Sequence, residues 1–67
     1  MVNEKLKQRR KAKGYTQHQM AERLGYRSKS GYNMIETGRN QPKLRVALKI
    51  AEILECEVSD LFEEMGN

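Results

Sequence analysis

Four side chains in one short stretch carry chemistry suited to reading the edges of nucleic-acid bases. Lys29, Ser30, Asn33 and Met34 are spaced by one, three and four residues, so on a helix they share a face. A lysine ammonium donates to guanine O6/N7, an asparagine amide pairs with adenine N6/N7, and a serine hydroxyl suits either. Met34 offers apolar contact to a thymine methyl, and fits a partly buried core position equally well. Gln17 has different chemistry. An amide beside the open N–H groups of a helix N-terminus suits an anion such as phosphate. Arg27, a cation in a turn, is a further phosphate candidate.

Other chemistries are excluded by count. The 67 residues contain one His, one Cys and one Asp, so no Ser/His/Asp or Cys/His nucleophile can be assembled and no enzyme is expected. His18 has no Cys, His or carboxylate cluster at ligand spacing, so neither a metal nor another cofactor is expected, and no small-molecule ligand is evident. Cys56 cannot form an intrachain disulfide, which fits a reducing compartment. Its acidic neighbours Glu55 and Glu57 disfavour a thiolate, so it reads as a small buried hydrophobe. The first 13 residues do not resemble a secretory signal, and no stretch is apolar enough to span a membrane. The expectation is a cytoplasmic protein without membrane contact.

Charge is unevenly placed. Residues 1–49 hold all 13 Lys and Arg against three acids, whereas residues 50–67 hold six acids and no base. A polyanion is attracted to the first part and repelled by the second, the outline either of a protein with one nucleic-acid face or of a solvated basic helix followed by a solvated acidic one. Arg9, Lys11 and Lys13 read as a solvated basic face.

The elements that must position these groups are helical. Residues 1–67 make one domain, too small to hold a second or to enclose an enzyme-sized cleft. The spacing predicts a first helix over Val2–Lys13, stopped by Gly14. Thr16, with Gln19 three residues later, predicts a capping box opening a second helix that ends at Gly25. Ser28 is the candidate N-cap of a third helix carrying Tyr32 and Ile35 inward and closing at Gly38. Leu44, Ala47, Leu48, Ala51 and Leu54 predict the core stripe of a fourth. Ser59 is read as capping a last short helix with Leu61 and Phe62, before a fraying Met65-Gly66-Asn67. Val46, Ile50 and Ile53 form a second apolar stripe; with Leu61 or Phe62, Val46 and Ile53 are candidates for a dimer surface, the alternative being a wider core face under the last helix, above all for Ile50. The fold class is all-α, a compact five-helix domain. Gly31 interrupts the third helix at a cost of about 1 kcal/mol relative to alanine, either for close approach to DNA or to relieve crowding against Tyr26 and Tyr32.

Residues 17–36 read as a helix-turn-helix. Ala21 lets the helix backbones approach, Gly25 makes the turn, and Met20, Leu24, Tyr26, Tyr32 and Ile35 lock the second helix to the first. The run TQHQMAERLG, then IETG, NQPKLRVALKIAEIL and VSDLF, resembles the Cro/CI-type (lambda-repressor-like, XRE) family from Leu6 to Phe62. The resemblance implies a five-helix domain whose third helix enters the DNA major groove, usually as a homodimer on a palindromic operator. Many such proteins are phage, prophage or mobile-element repressors. It also implies base reading by Lys29, Ser30 and Met34 and phosphate contact by Gln17 and by the loop holding Arg39 and Asn40, a track that Lys43 and Arg45 extend. Glu36 lies at the unfavourable end of the third helix dipole and needs a cation; Arg10 is the candidate, and the resemblance implies an Arg10–Glu36 structural pair. One departure is an extra residue between Gly25 and Gly38, placed at or beside Arg27 so that Tyr32 and Ile35 stay inward. A competing reading is a protein-interaction module, such as the antitoxin of a toxin–antitoxin pair, binding through the acidic C-terminal stretch with Val46 and Ile53.

Overall fold

A computed structural model of the chain describes residues 2–62. Four α-helices follow one another: α1 Glu4–Ala12, α2 Gln17–Leu24, α3 Lys29–Glu36 and α4 Leu44–Ile53. A 3-10 helix, Val58–Asp60, closes the fold, and there is no strand among the described residues. The expected fraying at residues 65–67, and the acids Glu63 and Glu64, lie outside the described residues.

Local chemistry explains most of the boundaries. α1 begins at Glu4 rather than Val2 because Asn3 is its N-cap, its side-chain oxygen accepting the Leu6 N–H at 3.1 Å. The Asn3 amide also donates to the Leu61 carbonyl at 2.8 Å, and its backbone N–H donates to the Glu36 carbonyl at 2.7 Å. One residue thus ties the start of α1 to the end of α3 and to the closing turn. At α2 the capping box is complete: Thr16 Oγ1 accepts from the Gln19 N–H at 3.1 Å, and Gln19 Oε1 accepts from the Thr16 N–H at 2.9 Å. Gly25 ends α2 at φ +83°, a left-handed cap that a Cβ would disfavour. Ser28 is the N-cap of α3 by position only, its hydroxyl hydrogen-bonding that of Ser30 at 2.7 Å instead of the backbone. The closing turn starts at Glu57, not Ser59: the Glu57 N–H donates to Asp60 Oδ2 at 2.9 Å.

The core gathers Leu6, Met20, Ala21, Tyr32 and Ile35 against Ala47, Ile50, Ala51 and Leu54, with Leu61 and Phe62 sealing one end. Tyr32 and Ile35 are buried while Met34 is 42% exposed, the inward register expected of α3. Two expectations are corrected. The buried stripe of α4 is Ala47, Ile50, Ala51 and Leu54; Leu44 and Leu48 are 57% and 53% exposed. Two alanines on that face let α4 lie close to its neighbours, with Ile50 and Leu54 filling the space between. Leu61 and Phe62 are not a dimer surface, because both are buried in the chain's own core, and Val46 and Ile53 are half-buried against it.

Candidate nucleic-acid interface

The α2–turn–α3 unit is held by backbone and ring contacts. Gly25 and Tyr26 donate to the Glu22 and Ala21 carbonyls at 3.1 and 2.9 Å, closing α2 and turning the chain. Ala21 is buried where the helices pack. The Tyr26 ring lies on α3 at Gly31, where a Cβ would stand 2.9 Å from Tyr26 Cγ. The mid-helix glycine thus relieves crowding against Tyr26.

From this frame the outer face of α3 presents Lys29, Ser30 and Met34 to solvent, while Asn33 is half-buried. Arg27 is exposed in the turn before α3, and Arg39, Asn40 and Lys43 are exposed on the loop after it. That loop folds back because the Met34 carbonyl accepts from both the Arg39 and Asn40 N–H groups, at 2.9 and 3.0 Å. Exposed cations thus flank both ends of α3. Gln17, at the start of α2, is half-buried and directed toward α3: its Oε1 accepts from Asn33 Nδ2 at 3.1 Å and its Nε2 donates to Glu36 Oε1 at 3.4 Å. A second Nε2 hydrogen remains for another acceptor.

Behind this face lies a buried ion pair. Arg10 donates from Nε and Nη2 to the two Glu36 oxygens at 2.8 and 2.9 Å, and from Nη1 to the Tyr15 carbonyl at 2.8 Å. This two-pronged geometry joins α1 to the end of α3. Burial alone pushes the Glu36 carboxyl upward, but the Arg10 bonds, helped by the Tyr32 hydroxyl and the Gln17 amide, outweigh it and hold it below its ordinary value. The Glu36 bond raises Arg10 in turn against its own desolvation. Burial, then the nearby Glu36 carboxylate, raise Tyr32; its hydroxyl lacks a hydrogen bond of regular geometry. The result is a fixed, charged clamp beneath a polar outer surface.

Two helices joined by a tight glycine turn, the second with exposed Lys29 and Ser30 at its start, have the geometry of a unit that docks in a major groove. A helix-turn-helix family profile matches residues 6–61. This chain belongs to the helix-turn-helix family, in its Cro/CI-type branch. Over 54 residues it is 41% identical to a Bacillus subtilis (strain 168) protein named as an SPbeta prophage-derived uncharacterized HTH-type transcriptional regulator, YonR. That match covers 81% of this chain and 49% of the relative. It is 37% identical over 49 residues to an uncharacterized HTH-type transcriptional regulator of Archaeoglobus fulgidus, covering 73% of this chain and 69% of that protein. The chain therefore spans about half the length of the first relative and over two thirds of the second.

Within this helix-turn-helix domain, the sequence signals did not reveal the Gln17–Asn33 contact or the part played by Asn3. The Asn3 signal is an Asn three residues before the first buried apolar position, Leu6, which is the N-cap pattern. Cys56 is half-buried, and burial raises its thiol, with Asp60 and Glu57 adding to the rise against Arg9 and Lys13. No cluster of metal-binding side chains occurs among the described residues, and no helix there is long and apolar enough to cross a membrane.

Proposed function

We propose that this chain binds double-stranded DNA in a sequence-specific manner and regulates transcription, as a cytoplasmic repressor of the phage, prophage or mobile-element type. The observation that carries the reading is the outer face of α3, with Lys29, Ser30, Asn33 and Met34 between the exposed cations Arg27, Arg39 and Lys43. The four α3 residues read base edges; Arg27, Arg39, Asn40, Lys43 and the spare Gln17 N–H hold phosphates. Two copies on a palindromic operator place their α3 helices in successive major grooves, roughly 34 Å apart.

We assign the two-fold contact to α4, where exposed Leu44 and Leu48 adjoin half-buried Val46. Arg45 and Glu52 line the same surface on either side of Leu48. A two-fold axis near Leu48 would set Arg45 of each copy beside Glu52 of the other, making the face self-complementary.

Selection from a randomised duplex pool at ~150 mM salt tests the proposal. The expected product is a palindrome with half-sites about one helical turn apart. A Leu48→Glu variant should recover single half-sites. Binding without sequence enrichment would overturn the operator-reading function.

A further inference from the structure

Donor and acceptor types fix the direction of every bond between the buried ion pair and the outer face of α3. Glu36, bonded twice by Arg10 at 2.8 and 2.9 Å, is a carboxylate, and a carboxylate only accepts. The Gln17 atom 3.4 Å from Glu36 Oε1 must therefore be Nε2, since the flipped amide would set two oxygens against each other. Gln17 Oε1 is then turned toward Asn33, where it accepts at 3.1 Å, so the Asn33 atom facing it is Nδ2. Asn33 keeps its Oδ1 and one Nδ2 hydrogen, one acceptor and one donor. That pair complements adenine, whose N6 donates and N7 accepts, and mismatches guanine, whose N7 and O6 both accept. An asparagine free to rotate can offer both amide hydrogens to guanine. One whose amide is tied to Gln17 cannot.

We infer that Gln17 is a positioning residue for sequence specificity: anchored on Glu36, it fixes the orientation of the Asn33 amide and makes the chain select adenine over guanine at one base pair of each half-site. The inference rests on the DNA-reading function proposed above and assigns Gln17 a role that phosphate contact does not contain. A phosphate ligand strengthens binding to all sequences alike, whereas a residue that orients a reader changes which base is chosen.

The test is selection from a randomised duplex pool with the wild-type chain and with Asn33→Ala, Gln17→Met and Gln17→Ala, each first shown by circular dichroism to be folded. Asn33→Ala identifies the base pair that Asn33 reads, as the position whose preference disappears. Competition between duplexes differing only there then measures adenine against guanine. Gln17→Met, close in shape but unable to bond, should lower that preference by about tenfold and leave preferences at the other positions intact. In the Asn33→Ala background, Gln17→Met should change no base preference further.

Uniform weakening by Gln17→Met with the adenine preference retained would overturn the inference while leaving the DNA-reading function in place. So would an Asn33→Ala variant with unchanged preferences. Absence of any enrichment by the wild-type chain would instead overturn the function itself, and the inference with it.

Discussion

Replacing Gly31 with alanine sets two effects of known sign against each other. On an open helix the change would stabilise by about 1 kcal/mol, because glycine is the poorer helix former by that amount. Here the new Cβ would stand 2.9, 3.1 and 3.3 Å from Cγ, Cδ1 and Cβ of Tyr26. These atoms include the root of the side chain, so Tyr26 cannot escape by moving a flexible tip. Its ring must leave its packed position, or α2 and α3 must separate at the turn. Overpacking of this kind costs about 1–3 kcal/mol. The clash outweighs the propensity gain, and a net loss of about 1 kcal/mol is expected, a fall in Tm of roughly 4–8 °C for a domain of this size. The Tyr26→Ala background removes the two closest contacts and keeps only the 3.3 Å approach to Cβ, so there Gly31→Ala should stabilise by up to about 1 kcal/mol. The coupling between the two sites is then about 1–2 kcal/mol, measurable by urea unfolding of all four proteins followed by circular dichroism. Stabilisation by Gly31→Ala in the wild-type background would refute the reasoning, because it would show that the Tyr26 ring does not require the glycine.

Three further outcomes follow from the same geometry. Arg10→Met leaves Glu36 buried without its partner and should destabilise by about 3–5 kcal/mol in urea unfolding, most of what so small a domain has. Glu36 is held below its ordinary carboxyl value of 4.5, so its contribution is fully present above that value and is lost as pH falls through the folded-state pKa. Thermal melts should therefore show Tm falling with acid below about pH 4.5 in the wild type, and falling less in a folded variant lacking Glu36. Glu55 terminates α4 in the left-handed region at φ +56°, so Glu55→Gly should stabilise by about 0.5 kcal/mol after loss of the exposed Lys13–Glu55 pair, and a lower Tm would contradict this.

Much of this arrangement was legible in the residues, and the parts that were not share a cause. Caps and turns are local chemistry. Thr16 with Gln19, and Gly25, are read correctly because their partners lie within four residues, and the inward register of Tyr32 and Ile35 follows from counting back from Gly38. Leu44 and Leu48 match helical spacing as well as Ala47, Ile50 and Ala51 do, so spacing alone does not choose the buried face of α4. What separates the two stripes is how closely the helix approaches its neighbours, and the alanine pair decides that only once those neighbours are in place. The burial of Leu61 and Phe62 is not legible in the sequence for a related reason. They seal the core beside Asn3, whose amide reaches the Leu61 carbonyl from 58 positions away in sequence. The Gln17–Asn33 bond is likewise a contact between elements, and nothing in the spacing of the two residues announces it.

The buried pair raises a question that stability alone does not answer. Desolvating two charges offsets much of their attraction, and apolar residues of similar volume can often replace such a pair without loss. Stability therefore gives no strong reason for Arg10 and Glu36 to occupy this position. Their further consequence is directional: Glu36 presents an acceptor to Gln17, which sets the amide order out to Asn33. A double replacement, Arg10→Met with Glu36→Leu, separates the two roles. It removes both charges together, so no ion is left unpaired, and unfolding free energy should stay within about 1–2 kcal/mol of wild type. The anchor for Gln17 would nevertheless be gone, and the adenine preference at the base pair read by Asn33 should fall as it does in Gln17→Met. If the doubly replaced domain kept its fold and its full base preference, the ion pair would be a packing element alone, and the orientation of Asn33 would have to come from DNA.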